Sequence, residues 1–509
     1  MKRLFLLALC STLFCRVACA GSCESLATLP LPQATIDATE LVPAGTFTPN
    51  GSSPIHGLPA FCRVTAVLKP SPDSNVRIEV WMPISGWNGR YEGTGNGGYA
   101  GGISYGALAE GLRRGFAVAN TDMGTVPSTA ENGDALIGHP EKWIDWGWRS
   151  THEMTVAAKR TVRAYYGRDP ERSYFASCST GGEQGLMEAQ RFPDDYDGIV
   201  AGAPANNRTR LHMDILWNFE VAKKLPANKL AVIAHAALQA CTSEKAVASD
   251  DFLSTPSNCH WDPNSIVCNA GDAPDCLTAA QSQAVRGIYD GPINPVTQAS
   301  IYPGLPRGSE SSWRYLISRT VDAPYDSVFK WVFGPDWDWK TFDFNRDVAA
   351  VDARLAVPLN ATSADLDVFR VHGHKLLVYH GWADWLVAPQ ESINYYRSVM
   401  GAQTRGAARP HSSNAEQTQR FYRLFMVPGM SHCGGGPGLN TVDPLASLEL
   451  WVEKGIAPEK IIATRMDKNT VEITRPVCPY PQSARYNGVG DTNNAANFSC
   501  GALGRKGGK

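Results

Sequence analysis

The sequence predicts an α/β fold in which a parallel sheet, covered by helices on both faces, is interrupted by a large inserted lid domain. Three observations carry that expectation. Strand-like and helix-like runs alternate from Val76 to Pro204, the pattern of a sheet with crossover helices. The alternation lapses near Asn207 and resumes near Val371. The stretch between holds Cys241, Cys259, Cys268 and Cys276, many prolines, and the tryptophans Trp313, Trp331, Trp337 and Trp339. Finally, Cys178-Ser179-Thr180-Gly181-Gly182 separates a strand-like run, Ser173–Ala176, from a helix-like one, Glu183–Arg191. A serine among small residues on such a tight strand-to-helix turn has its side chain pushed clear of the backbone.

At the N-terminus, Lys2-Arg3, the apolar run Leu4–Phe14 and Ala18-Cys19-Ala20 read as a signal peptide over residues 1–20, which implies a secreted or periplasmic protein. Arg16, three before Cys19, disfavours a lipoprotein site. Residues 21–207 are the first part of the core. Gly21 to Leu68 is turn-rich, with Cys23 and Cys62 as partners. Val76–Val80 alternates apolar and polar residues as a half-buried strand does, and Trp81 and Met82 extend it. The glycine run Gly93-Thr94-Gly95-Asn96-Gly97-Gly98 precedes the serine turn. It can offer the Gly97 N–H, or next the Gly98 N–H, to an oxyanion hole completed by Thr180. No Gly-Lys-Ser/Thr follows, which disfavours a phosphate loop.

Phe116–Asn120 reads as a buried strand, and Thr151–Tyr166 as a helix closed by Gly167. His152, in its first turn, reads as a packing or capping residue. Gly198–Gly202 is the next strand. Residues 208–365 are the lid domain, with Cys241 paired to Cys259, Cys268 paired to Cys276, and the tryptophans mostly in its core. Residues 366–477 resume the sheet with Lys375–Tyr379 and Phe421–Val427. Asp443 caps a helix that starts at Pro444 and stops at Gly455. Residues 478–509 are a polar tail pinned by Cys478 and Cys500.

Chemistry concentrates at three places. His432-Cys433 sits on the exit loop of the run Phe421–Val427, and its order mirrors Cys178-Ser179. Disulfide-bonded cysteines have Cα atoms roughly 4.4–6.8 Å apart, and each chain neighbour is one step of about 3.8 Å away. A Cys178–Cys433 bond would therefore hold Ser179 beside His432, where an imidazole can take the serine proton. Asp384, just past the apolar run Leu376–Tyr379, is the candidate to orient the histidine. The order Ser179, Asp384, His432 is that of α/β-hydrolase triads.

Composition narrows the alternatives. A net charge of −2 over 509 residues and a pI near 6.6 give no electrostatic case for nucleic acid or an anionic membrane. No apolar run after the signal approaches the roughly 18 residues of a membrane span. Of the 13 cysteines, Cys10, Cys15 and Cys19 leave with the signal. The even remainder argues for disulfides over metal binding, since no C-x-x-C pair or H-x-x-x-H group accompanies it.

Cys178-Ser179, Asp384 and His432-Cys433 together resemble the CS-D-HC signature of the tannase and feruloyl esterase family, which includes MHETase-like enzymes that split a terephthalate monoester. The resemblance extends to Gly95–Gly98, Cys276-Leu277-Thr278 and Phe342-Asp343-Phe344. It implies an α/β-hydrolase fold with a lid, secretion, five disulfides in the pairings above, and a serine esterase acting on small esters of aromatic acids. On the pattern of MHETase-like members it places His380, which opens His380-Gly381-Trp382-Ala383-Asp384, at the substrate, with a structural role as the alternative. A lid calcium loop, with aspartates spaced after a cysteine, is usual in the family. Here Cys241 is followed by Thr242, Ser243, Glu244 and Lys245, and Ser249 stands where another aspartate belongs. A hard cation wants several carboxylates and is repelled by a lysine, so no metal or other cofactor is expected, although Asp250 and Asp251 lie close by. Feruloyl, galloyl and terephthaloyl esters stay open as substrates. So does a non-catalytic binding protein on the same scaffold, which has little reason to keep all three residues and both cysteines.

Overall fold

The buried runs Gly198–Gly202 and Lys375–Gly381 lie side by side in a nine-stranded sheet. The computed structural model describes residues 21–318, 323–403 and 414–502, so the expected signal peptide lies outside the described residues. The sheet strands are β1 (Ala34–Val42), β2 (Phe61–Leu68), β3 (Val76–Pro83), β4 (Arg90–Thr94), β5 (Ala117–Thr121), β6 (Arg172–Cys178), β7 (Gly198–Gly202), β8 (Lys375–Gly381) and β9 (Tyr422–Val427). Their spatial order is β1-β2-β3-β5-β4-β6-β7-β8-β9. From β5 to β9 every pairing is parallel, and β1, β2 and β3 add an antiparallel edge. Ligand sites in such sheets lie beyond the carboxyl ends of the parallel strands.

The longer helices of the first part are α1 (Tyr105–Arg113), α2 (Ser150–Tyr166) and α3 (Thr180–Arg191). After β7 the chain builds a helical insert: α4 (Arg208–Ala222), α5 (Leu230–Ala240), α6 (Ala279–Asp290), α7 (Ser327–Phe333) and α8 (Asp347–Leu359). Thr278 starts α6 with a reciprocal cap, accepting from Gln281 N–H while the Gln281 side chain accepts from Thr278 N–H. The insert has its own core, around Leu211, Ile233, Ile288 and Trp313. A second aromatic group, Tyr99, Trp143, Trp146 and Trp331, joins it to the sheet domain. Last come α9 (Pro389–Ala402) and α10 (Leu445–Lys454). Helices α2, α3 and α9 cover one sheet face, through residues such as Val162, Leu186 and Ile393. Helix α1, with Leu108 and Leu112, and α10, with Leu448 and Trp451, cover the other. This is an α/β-hydrolase fold.

All five expected disulfides form: Cys23–Cys62, Cys178–Cys433, Cys241–Cys259, Cys268–Cys276 and Cys478–Cys500. Gly167 and Gly455 close α2 and α10 in the left-handed conformation, and Asp443 Oδ1 accepts from Leu445 N–H at the start of α10.

Three local expectations change. The stretch Gly21–Leu68 is not mainly turns, because β1 and β2 pair antiparallel along their whole length. As the sheet edge, β1 leaves many of its polar residues exposed, which weakens its apolar signal. In β3 the polar position Glu79 is buried, since Arg63, the Trp81 indole and the Tyr105 hydroxyl all bond its carboxylate. The C-terminal region holds two antiparallel pairs, Ile461–Asp467 with Thr470–Val477 and Gln482–Tyr486 with Phe498–Ala502. The first turns at Lys468 and Asn469, both at positive φ, the conformation a two-residue hairpin turn demands.

Candidate active site

Four loops leave the carboxyl ends of β4, β6, β8 and β9 and carry, in turn, Gly97, Ser179, Asp384 and His432. Ser179 has φ 65° and ψ −121°, a backbone conformation that side-chain-bearing residues adopt at a cost of about 1–3 kcal/mol. Its N–H is held by Gly202 O at 2.9 Å. Small neighbours are a steric necessity: a Cβ on Gly181 would lie 1.9 Å from Ser177 Oγ, and one on Gly182 would lie 2.3 Å from Gly202 O.

The Cys178–Cys433 bond brings the two Cα atoms to 5.9 Å, and beside it Ser179 Oγ donates to His432 Nε2 at 2.9 Å. His432 Nδ1–H donates to Asp384 Oδ2 at 2.7 Å. The other oxygen, Oδ1, accepts from the N–H groups of Leu386 (2.8 Å) and Val387 (3.0 Å). Burial alone would push the Asp384 carboxyl up. The adjacent His432 and the hydrogen bonds from His380 and His432 outweigh it and hold the group well below the usual carboxylate range. Asp384 is 0 % exposed while the His432 side chain is 15 % exposed, so a reactant reaches the histidine and not the carboxylate.

The glycine loop is tied to the serine turn twice, by Gly181 N–H to Asn96 O at 2.8 Å and by Thr180 Oγ1 to Gly98 O at 2.9 Å. A Cβ on Gly97 would meet nothing within 4 Å, so its backbone borders open space. Thr180 is the first residue of α3, whose leading N–H groups have no intrahelical acceptor.

His380 is not at a surface a substrate can reach. It is fully buried behind Asp384, with Nε2 3.1 Å from Asp384 Oδ2 and 3.0 Å from Val387 O, and Nδ1 2.8 Å from Ser392 Oγ. The expectation of a substrate contact is therefore corrected. His380 is the next-to-last residue of β8, and its ring packs beneath the Asp384 loop, against Asp384 Oδ2 and Val387 O. His152 stacks on Phe192 and bonds Asp195 at 2.6 Å, away from these loops.

Beside His432 opens a cleft of about 480 Å³, within the usual range for a small-molecule site. The lid contributes Ser312, Arg314 and Tyr315, the Asp384 loop contributes Trp385, and the His432 loop contributes Gly434–Pro437. Tyr315 and Trp385 stack with ring centres 5.0 Å apart, joining lid to core.

A family model described as "Tannase and feruloyl esterase" matches residues 62–501. The chain belongs to the tannase and feruloyl esterase family. It is 37 % identical to an uncharacterised esterase of Xanthomonas campestris pv. campestris, covering 97 % of this chain and 93 % of the relative. It is 31 % identical to a probable feruloyl esterase B-2 of Aspergillus terreus, covering 94 % and 95 %. The crystal structure of feruloyl esterase B from Aspergillus oryzae superposes with a TM-score of 0.85 at 28 % identity, covering 94 % of this chain and 99 % of that one. The protein is a carboxylic ester hydrolase of this family, acting on small ester substrates.

The family's lid calcium does not fit the residues present. Asp250 is buried against Arg475, with Oδ1 3.0 Å from Nη2, and Asp251 pairs with Arg465. The Glu244 carboxylate accepts from Thr255 Oγ1 at 2.7 Å and Asn258 Nδ2 at 3.1 Å. Guanidinium groups and local donors already hold the oxygens a hard cation would need. Elsewhere among the described residues, two groups bring three possible ligand atoms together, Asp194–His372–His374 and His152–Glu188–Asp195. Both lie beside the starts of β7 and β8, at the opposite edge of the sheet.

Two supporting residues escaped the sequence reading. Gln184 Oε1 accepts from Asn96 N–H at 3.0 Å and so positions the glycine loop, and Ser392 bonds His380. Gln184 could have been found one turn into α3, facing the strand side of the elbow. For Ser392, in the first turn of α9, no sequence signal existed.

Proposed function

We propose that the protein is a secreted serine esterase of feruloyl esterase or tannase type, hydrolysing esters of aromatic acids through an acyl-enzyme. The single observation that carries this reading is the continuous hydrogen-bonded chain Ser179–His432–Asp384 at a strained strand-to-helix turn. His432 Nε2 takes the Ser179 proton as Oγ attacks the ester carbonyl. The N–H groups of Gly97 and Thr180 receive the oxyanion. The C–O bond to the alcohol then breaks, and the alcohol leaves with the proton from His432. Water, deprotonated by the same nitrogen, attacks the acyl carbonyl; the Ser179 ester bond breaks, Oγ recovers the proton, and the acid is released. Asp384 keeps the imidazole oriented and stabilises its cationic form. No step needs a metal. Export is supported by five disulfides, which persist in oxidising compartments, and by the N-terminal signal pattern. The first residue of the mature exported protein, expected to be Gly21, tests it.

A terephthalate monoester is a second reading, favoured by Arg314, a residue of the cleft beside His432 that carries the cation a free carboxylate would pair with. Comparing kcat/KM for methyl ferulate, methyl gallate and a terephthalate monoester, each with Ser179→Ala as control, decides both points. Turnover of the aromatic methyl esters that is lost in Ser179→Ala supports the first reading. Preference for the monoester that disappears in Arg314→Ala supports the second. Activity undiminished in Ser179→Ala contradicts both.

A further inference from the structure

Behind Asp384 lies a second histidine that the ester-cleaving steps do not use. His380 Nε2 faces two oxygens, Asp384 Oδ2 at 3.1 Å and the Val387 carbonyl at 3.0 Å. Neither can donate, so the ring must carry its proton on Nε2. Nδ1 then holds a lone pair and accepts from the Ser392 hydroxyl at 2.8 Å. Ser392 is 1 % exposed, so bulk solvent does not compete for its proton. We propose that Ser392 and His380 are positioning residues for the catalytic carboxylate: Ser392 fixes the His380 tautomer, and His380 fixes the rotation and charge of Asp384.

The proposal rests on the reading of Ser179, His432 and Asp384 as a catalytic triad. Its physical content is a division of labour at one oxygen. Asp384 Oδ2 receives two N–H groups, from His432 at 2.7 Å and from His380 at 3.1 Å, while Oδ1 is occupied by two backbone N–H groups. With its acceptor sites filled from four directions the carboxylate cannot swing, and His432 Nδ1–H meets it in one geometry. His380 also withdraws part of the negative charge that would otherwise fall on His432. The charged and titratable groups around this point are Asp384 and His432 on the neighbouring loops; buried Glu391, beside Ser392 on α9; and Tyr302 of the lid, which senses Glu391 and Asp384.

Removing the His380 donor has two separable effects. Asp384 loses its fixed rotation, and a misplacement of about 1 Å can cost on the order of 100-fold in rate. Asp384 Oδ2 then has only the His432 N–H to share its charge, so the acid limb of the kcat/KM profile moves up in pH. KM stays put, because His380 touches no substrate.

The experiment measures kcat, KM and the pH profile on an aromatic methyl ester for His380→Leu, His380→Gln and Ser392→Ala, with Ser179→Ala run alongside and melting temperatures recorded. Gln places an N–H close to the Nε2 position. The expected result is a loss of ~100-fold in kcat for His380→Leu, recovery of most of it in His380→Gln, and a smaller loss in Ser392→Ala, with the acid limb displaced upward in the first and last. An unchanged kcat and acid limb in folded His380→Leu overturns the proposal. So does a rise in KM alone, which would return His380 to the substrate. Equal losses in all three variants with an unmoved limb also overturn it, because they mark a packing role. Should His380→Leu fail to fold, Ser392→Ala decides: unchanged kcat and limb there overturn the tautomer lock. Activity retained by Ser179→Ala would instead overturn the triad reading itself, and is scored separately.

Discussion

Ser179 is the residue on which the chemistry turns, and its backbone already shows the cost of placing it. A φ of 65° on a non-glycine residue persists only where the surroundings impose it, here through Gly202 O, Gly181 and Gly182. Gly181→Ala, whose new methyl would fall 1.9 Å from Ser177 Oγ, is therefore expected to distort the turn and lower kcat by ~100-fold or more, read on any soluble ester. Asp384 makes a different point. Its carboxyl is held below the ordinary range, so it remains ionised throughout the working range of a hydrolase, and it does not set the acid limb of activity. The sign for stability follows. The folded state favours the ionised form, so Asp384 contributes stability above about pH 4, and that contribution is lost as pH falls through the depressed value.

The elements differ in how openly the sequence declares them. The central strands β7 and β8 and the elbow were legible because a fully buried strand is a short unbroken apolar run, and a serine turn needs small neighbours. The triad was legible because two cysteines mark two of its three loops. Strand β1 was not, since an edge strand is half solvated, and the C-terminal hairpins were not, since they are stabilised by contacts far away in the chain. His380 was misplaced because H-G-x-x-D spacing fixes its distance along the chain from Asp384 but not which side of Asp384 its ring occupies. The lid loop Cys241–Cys259 shows the same limit: a lysine and missing aspartates disfavoured calcium, but nothing local revealed that Arg475 and Arg465 would reach in from a distant hairpin. Arg475 is 2 % exposed, so removing it leaves Asp250 buried without its partner. Arg475→Met should cost about 3–5 kcal/mol of stability in denaturant titration. Chelator, by contrast, should leave the parent protein's melting temperature unchanged. A chelator-induced drop would mean that a cation does bind the lid.

At the scale of the whole molecule, one covalent bond spans the two halves of the sheet domain and the lid inserted between them. Cys178 and Cys433 are 255 residues apart, and closing a loop of that length stabilises a chain by about 5 kcal/mol on the entropy model. The double variant Cys178→Ala, Cys433→Ala should lose both melting temperature and kcat. Unchanged kinetics would show that the strand ends alone position Ser179 against His432. Buried carboxyls set a second global property. Glu92 and Glu183 are each pushed up to about 8, by burial first, against the opposing pull of Arg114 on Glu92 and of Arg208 on Glu183. The folded protein therefore keeps protons that the unfolded chain has lost between about pH 4 and that value, and stability falls across this window as pH rises. In Glu92→Gln the slope should be shallower by up to about 1.4 kcal/mol per pH unit, measured by denaturation at pH 5, 6.5 and 8. The central claim is tested most directly by quenching the protein with acid during turnover of an aromatic methyl ester and mapping the acylated peptide by mass spectrometry. Triad chemistry predicts one acyl group, on the peptide bearing Ser179, and none in Ser179→Ala. An acyl group on any other residue, or turnover that persists in Ser179→Ala, would contradict it.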